Sequence, residues 1–368
     1  MKATAIGSTA VFLALIAFGL ETGVSSAATT QSWPIEGIYA VNSTYVQYVR
    51  GSGLQIKINS DVLSNSNVDG VAVHVGWNQV ETSDGVYSWG ALDNAVSQAG
   101  GSGKKVTLDV IPGWQTPSWV YTEGAKGFNF IWANNGWGPP LCSVVTIPVP
   151  WDTVYTAKWT AFVQAFGAHY DTNATVAAVK ILGVNSDDEE TRLPYNDSAT
   201  IKNGTTSCVS YDDVADWQAI GYTRLVVESA WEQIAAAYQS AFPDKALVAV
   251  LNVGGFPPID DNGNIFTGKY GQDSQTSTDL IAYGVANYGS QFALQNDGLG
   301  GTTIWSTEES YANQMTTGYQ TVSALGRSLG AAMSLAVKGG AEYLELYDGD
   351  LDNSSLQSTI ATYRSELP

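Results

Sequence analysis

Short apolar runs, separated by stretches in which apolar residues recur every three or four positions, set the rhythm of this chain. Eight runs read as strands: Ile35 to Ala40, Val71 to Trp77, Val106 to Ile111, Val176 to Gly183, Ala246 to Val253, Phe292 to Asn296, Tyr319 to Ala324 and Tyr343 to Tyr347. The longest helical pattern covers Val214 to Phe242, where Trp217, Ile220, Leu225, Val226, Ala230, Ile234 and Tyr238 recur near helical spacing. Strands alternating with helices predict a parallel sheet. Eight such units predict closure into a (β/α)8 TIM barrel. A doubly wound open sheet is the second reading, disfavoured because no Gly-rich phosphate loop follows the first strand. The seventh strand is the least marked, since its residues could equally begin the helix after it.

Side chains alternate in direction along a strand, so the apolar set should face the helices and the remainder the barrel lumen. This rule sends Val71, Val73, Val75, Leu108, Val110, Val179, Ile181, Phe292, Leu294, Leu344 and Leu346 outward. It sends His74, Thr107, Asp109, Lys180, Gln295 and Glu345 inward. Charges in a lumen must be paired, because an isolated buried charge costs several kcal/mol, and a Lys180–Glu345 ion pair would meet that need. Residues 121–150, rich in Gly, Asn, Trp and Pro, and 254–275, rich in Gly, Asp and Pro, are too long for simple connections. Both follow the carboxyl end of a strand, where barrels build their active sites, and read as substrate-binding insertions.

Between Val68 and Val120 an apolar strand ends in Trp77, a Gly-Val-Tyr-Ser-Trp turn leads into a helix, and a second strand ends at Pro112 to Trp119. The later run Ile147-Pro-Val-Pro-Trp-Asp152 and the segment Val176 to Pro194 continue the pattern. In this order of residues the chain resembles the secreted (β/α)8-barrel glycoside hydrolases of the retaining β-glycosidase clan. The resemblance implies a carbohydrate substrate, hydrolysis of O-glycosyl bonds and no cofactor.

Glycoside hydrolysis usually employs two carboxyl groups, one protonating the leaving oxygen and one attacking the anomeric carbon or activating water. Strand four runs out through Gly183-Val-Asn-Ser-Asp-Asp-Glu-Glu190-Thr-Arg-Leu-Pro194, where the resemblance places an acid/base glutamate. By position Glu190 matches best and Glu189 next. The sequence departs from the relatives in having Ser-Asp-Asp between Asn185 and the glutamates, and a solvated acidic loop is the structural alternative. Relatives close strand seven with the nucleophile, yet Tyr319 to Ala324 contains no acid. Glu345 in strand eight is the preferred substitute, with Asp297, Asp348, Glu308 and Glu309 as alternatives. Trp77, Trp114 and Trp119, at or beyond strand ends, are candidates for stacking on sugar rings. Trp132, Trp137 and Trp151 populate the third insertion, while Trp89 and Trp159 read as core. His74, Asp109, Asn185, Gln295 and Asp348 complete the candidate substrate-binding set.

The first residues change the picture of where the protein acts. Lys2, the apolar stretch Ala10 to Leu20 and the small residues Val24 to Ala28 read as a signal peptide, residues 1–27, cleaved after Ala27. Residues 28–368 then form one catalytic domain, secreted or periplasmic, and the apolar stretch is too short to span a bilayer. A formal charge of −19 argues against nucleic acid or an anionic membrane as partner. Cys142 and Cys208, the only cysteines, suit a disulfide between neighbouring rim loops in an exported chain, with two free thiols as the alternative. Two histidines, His74 and His169, are not spaced as metal ligands, no Gly-x-Ser-x-Gly elbow occurs, and oligomeric state has no signature. A barrel that binds carbohydrate without cleaving it is the competing function.

Overall fold

The computed structural model describes residues 35–41, 44–49, 53–134, 138–268, 271–304 and 306–368. The expected signal peptide and Trp137 lie outside the described residues, as does the side chain of Glu308. Eight strands form the barrel: β1 (Gly37–Val41), β2 (Gly70–Gly76), β3 (Lys105–Ile111), β4 (Val176–Lys180), β5 (Ala246–Val250), β6 (Phe292–Leu299), β7 (Thr316–Thr321) and β8 (Tyr343–Tyr347). All pair in parallel in chain order, and β8 pairs with β1 to close the ring. Closure excludes the doubly wound alternative, whose open sheet would leave two strand edges.

The main outer helices are α1 (Gly90–Gly101), α2 (Thr153–Tyr170), α3 (Arg224–Ala241), α4 (Gln275–Tyr288), α5 (Leu329–Lys338) and α6 (Gln357–Arg364). Asp152 starts α2 by accepting from the amides of Val154 and Tyr155, which have no partner within the helix. The single helix expected over 214–242 is two, Asp213–Ala219 and α3. Gly221, at φ 91°, adopts a conformation no helix interior accepts, and Thr223 then caps α3 through the Val226 amide. No helix among the described residues is long and apolar enough to cross a membrane.

The alternation rule holds around the barrel. Val71, Val73, Val75, Leu108, Val110, Leu344 and Leu346 join the core between sheet and helices, each contributing roughly 1.5–3 kcal/mol by burial. A separate apolar cluster fills the lower lumen, with Tyr39, Ala178, Ala246, Val248, Ala293 and Tyr343 among its members. The seventh strand starts at Thr316 rather than Tyr319, and the reason is Gly318. A Cβ at that position would lie 2.0 Å from the ring of Tyr343, so the strand must carry a weak strand former where the tyrosine crosses the lumen.

Cys142 and Cys208 are bonded, with Cα atoms 5.2 Å apart. The bridge ties the segment after β3, which contains the hairpin Gly127–Ile131/Val144–Pro148, to the hairpin Thr200–Asn203/Thr206–Val209 after β4.

Candidate active site

Above the apolar floor of the lumen lies a layer of charged and amide side chains. His74 on β2 and Asp109 on β3 are register partners, with Nε2 2.8 Å from Oδ2. Lys180 on β4 places Nζ 3.3 Å from Asp109 Oδ2 and 3.1 Å from Glu345 Oε2. Gln295 on β6 donates to Glu345 Oε2 at 3.0 Å and to Asp297 Oδ1 at 2.7 Å, and accepts from the Tyr343 hydroxyl at 2.8 Å. Gln320 on β7, its amide nitrogen turned toward the carboxylates, donates to Glu345 Oε2 at 2.8 Å and Glu189 Oε1 at 3.2 Å. Six strands thus meet in one polar layer.

The loop after β4 folds onto this layer. Asn185 accepts from the Gly183 amide at 3.2 Å and donates to the Asp188 carbonyl at 2.8 Å, which turns the chain back on itself. Arg192 clasps the acidic run: Nε and Nη2 contact both oxygens of Asp187 at 3.1 and 2.8 Å, Nη2 reaches Asp188 at 2.9 Å, and Nη1 lies 2.8 Å from Glu190. Asn252, just past β5, donates to Glu190 Oε1. Glu189 turns the other way, with Oε2 3.8 Å from His74 Nδ1. Gly113, at φ 48°, lets the chain after β3 approach, since a Cβ there would sit 2.5 Å from the Ser186 carbonyl oxygen. The Trp114 backbone and indole N–H groups then donate to Ser186 and Asp187, each at 3.0 Å.

These elements enclose a cavity of about 930 Å³ at the carboxyl ends of the strands, lined in part by His74, Trp114, Glu189, Glu190, Asp297 and Gln320. The size suits a small-molecule or oligosaccharide site. Its electrostatics are divided. Burial by itself would push the Glu189 carboxyl up, but His74 and Lys180 outweigh it and hold the pKa below the usual range. Asp109 is lowered in the same way, against burial, by Lys180 and His74. Burial pushes Glu190 up, and Asp187 and Glu189 add to this against Arg192. Asp297 is raised well above its ordinary value by burial and by Glu189, and its Oδ2 has no hydrogen-bond partner. Burial also raises Glu345 despite Lys180. His74 is raised to about 9: burial opposes the proton, but Glu189 and Asp109 retain it. The two basic groups of the layer, His74 and Lys180, thus sit among the carboxyl groups of Asp109, Glu189 and Glu345.

Of the residues singled out from sequence, His74, Trp114, Glu189, Glu190 and Asp297 line the cavity together. Asp109, Gln295 and Glu345 are wholly buried in the layer and are not among its lining residues. Several expectations need correction. Trp77 is fully buried, donates to Glu81 Oε2 at 2.7 Å and packs on Trp119, Tyr155 and Trp159, because the chain turns into a short helix at Trp77 and carries its ring outside the barrel. Trp119 belongs to that same group, its indole donating to the Glu81 carbonyl at 3.3 Å. Asn185 is buried and serves the loop turn. Asp348 opens the short helix Asp348–Leu351, one residue past Tyr347, which does line the cavity. Among the described residues, 121–150 and 254–275 do not line this cavity, whose loop lining includes residues of 111–115 and 187–190; residues 130–134 and Gly271 line an adjoining one instead.

Gln320, Arg192 and Asn252 were not identified from sequence as site residues. Only Gln320 carried a readable signal, a polar residue two positions from the lumen-facing Gly318. Strand seven starting at Thr316 makes that parity visible.

No family model matches the chain, and no curated protein matches it. The chain is similar in fold to glycoside hydrolases of known structure. One solved structure, described as a glycoside hydrolase, aligns over 85% of this chain and 88% of its own at 10% identity and a TM-score of 0.45. Another, an exo-β-1,4-mannosidase from Opitutaceae bacterium strain TAV5, aligns over 90% of this chain at 13% identity and a TM-score of 0.45. This chain covers 59% of that one's length. Likenesses this distant carry no argument for activity, which has to be argued from the site.

Proposed function

We propose that the protein is an exported glycoside hydrolase that cleaves a polysaccharide or oligosaccharide with two carboxyl groups of the β4 exit. The observation that carries this reading is the pair of neighbouring glutamates lining one cavity with pKa values pushed in opposite directions, Glu189 down and Glu190 up. Environments that separate two carboxyls in this way assign a base and an acid. Glu189, ionised beside His74, attacks the anomeric carbon or activates water, and Glu190 protonates the leaving oxygen. Trp114 offers an aromatic face to a sugar ring. Glu345 supports the site from below, holding Lys180 and the two amides in register. Retention of configuration is carried by the resemblance in sequence, and the anomer of the first product, read by NMR, tests it.

A binding-only barrel is favoured by one observation, the amide Gln320 at the cavity wall on β7 where relatives are expected to carry a nucleophile. The experiment is hydrolysis of β-linked polysaccharides and aryl glycosides by wild type, Glu189→Gln, Glu190→Gln, Asp297→Asn and Glu345→Gln, with folding followed by thermal melts. Losses of about 10²–10⁴-fold in folded Glu189→Gln and Glu190→Gln support the assignment. Loss in Asp297→Asn but not Glu190→Gln moves the acid to Asp297. A wild type that binds oligosaccharide and cleaves none establishes the binding reading.

A further inference from the structure

A second cavity of about 500 Å³ adjoins the first, and Asp187 lines both. Trp114 on the first side and Trp132 on the second meet edge to face, with centroids 5.8 Å apart, so the dividing wall is the Arg192–Asp187 pair backed by two indoles. The disulfide holds the far wall together. Cys142 donates its amide to the Trp132 carbonyl at 2.8 Å, and Cys208 is the register partner of Ile201; both Trp132 and Ile201 line the cavity. The two loops, joined as well by the Asn203 side-chain amide donating to the Ala133 carbonyl, are therefore tied around one space.

Inside it, Asp213 is 2% exposed, and its Oδ2 accepts from the Asn196 amide at 3.2 Å while Oδ1 has no hydrogen-bond partner. Leaving such a buried acceptor unsatisfied is unfavourable, and a ligand hydroxyl would satisfy it. Burial pushes this carboxyl up to about 7, so it titrates near neutrality and accepts from a hydroxyl when ionised. The half-buried Tyr195 supplies aromatic surface beside it, backed by the buried Trp132. Asp187, Asp197 and Asp213 border the space, and the one arginine among its described lining residues is engaged by carboxylates, which disfavours anionic ligands. An aromatic face beside a lone acceptor matches a neutral pyranose, with its C–H face and its hydroxyls.

We infer that this cavity binds a neutral sugar unit of the same chain that is cleaved in the first cavity, so that the substrate is an oligosaccharide or polysaccharide long enough to span both. This rests on the hydrolase reading for its substrate, and the test separates the two. Wild type, Asp213→Asn and Tyr195→Ala are compared on aryl monoglycosides and on the hexasaccharides of cellulose, mannan, xylan and β-1,3-glucan. Calorimetric titration with the same hexasaccharides is run alongside, and thermal melts check folding. For each folded variant, kcat/KM on the cleaved hexasaccharide should fall at least tenfold relative to the aryl glycoside, mostly through KM, with weakened binding. An unchanged ratio in both variants overturns the proposal. If wild type cleaves nothing but binds a hexasaccharide, and Asp213→Asn weakens that binding tenfold, the second cavity stands and the hydrolase reading falls. Absence of both cleavage and binding overturns both.

Discussion

Lys180 Nζ lies 3.1 Å from Glu345 Oε2, a contact made inside the barrel between β4 and β8, with both side chains completely buried. Asp109 shares the same ammonium at 3.3 Å. Removing the cation would strand carboxylates in a low-dielectric lumen, a loss of about 3–5 kcal/mol for a broken buried pair. Lys180→Met should therefore lower the denaturation midpoint sharply, and Lys180→Met/Glu345→Gln should recover part of the loss. Urea melts of the two single variants and the double variant check this, and strict additivity would show that the pair is not coupled.

His74 should make stability depend on alkaline pH. Its pKa rises from 6.5 to about 9 on folding, since Glu189 and Asp109 favour the imidazolium against burial. A raised pKa stabilises fully below 6.5, and the contribution disappears as pH climbs through about 9. The melting temperature should fall across that window in wild type, and His74→Asn should flatten the profile there. A wild-type curve flat from pH 6.5 to 9 would contradict the retained proton.

Gln320 spaces two carboxylates with one amide nitrogen, 2.8 Å from Glu345 and 3.2 Å from Glu189. Gln320→Glu would replace that donor with a third acid and raise the Glu189 pKa. Because Glu189 works ionised in the proposed mechanism, the acid limb of the kcat/KM profile should move to higher pH, with activity at pH 5 reduced more than at pH 7. A pH–rate profile superimposable on wild type would remove Gln320 from any role in holding Glu189.

Much of this architecture was legible in the chain because it depends on periodicity. Val71, Val73 and Val75 alternate with His74, and Leu344 and Leu346 flank Glu345, so the outward and inward faces of β2 and β8 were readable one residue at a time. The expected Lys180–Glu345 pair is present for the same reason. Where a residue was needed to accommodate a distant neighbour, the local signal failed. Gly318 weakens the strand pattern of β7 because the ring of Tyr343 occupies its Cβ position, and Gly221 interrupts what reads as one long helix.

The site divides along the same line. That an acidic run follows β4 and that charged residues face the lumen could be read from the chain alone, since both follow from order and alternation. The chain alone could not decide that Glu189 turns toward His74 while Glu190 turns toward Arg192, because that choice is made by the loop after β4 and by partners on β2, on β7 and just past β5. Nor could it separate Trp114, at the cavity, from Trp77, in the core, although both follow a strand end. Side-chain direction outside regular strands is set by long-range contacts, and only the tertiary structure brings those contacts together.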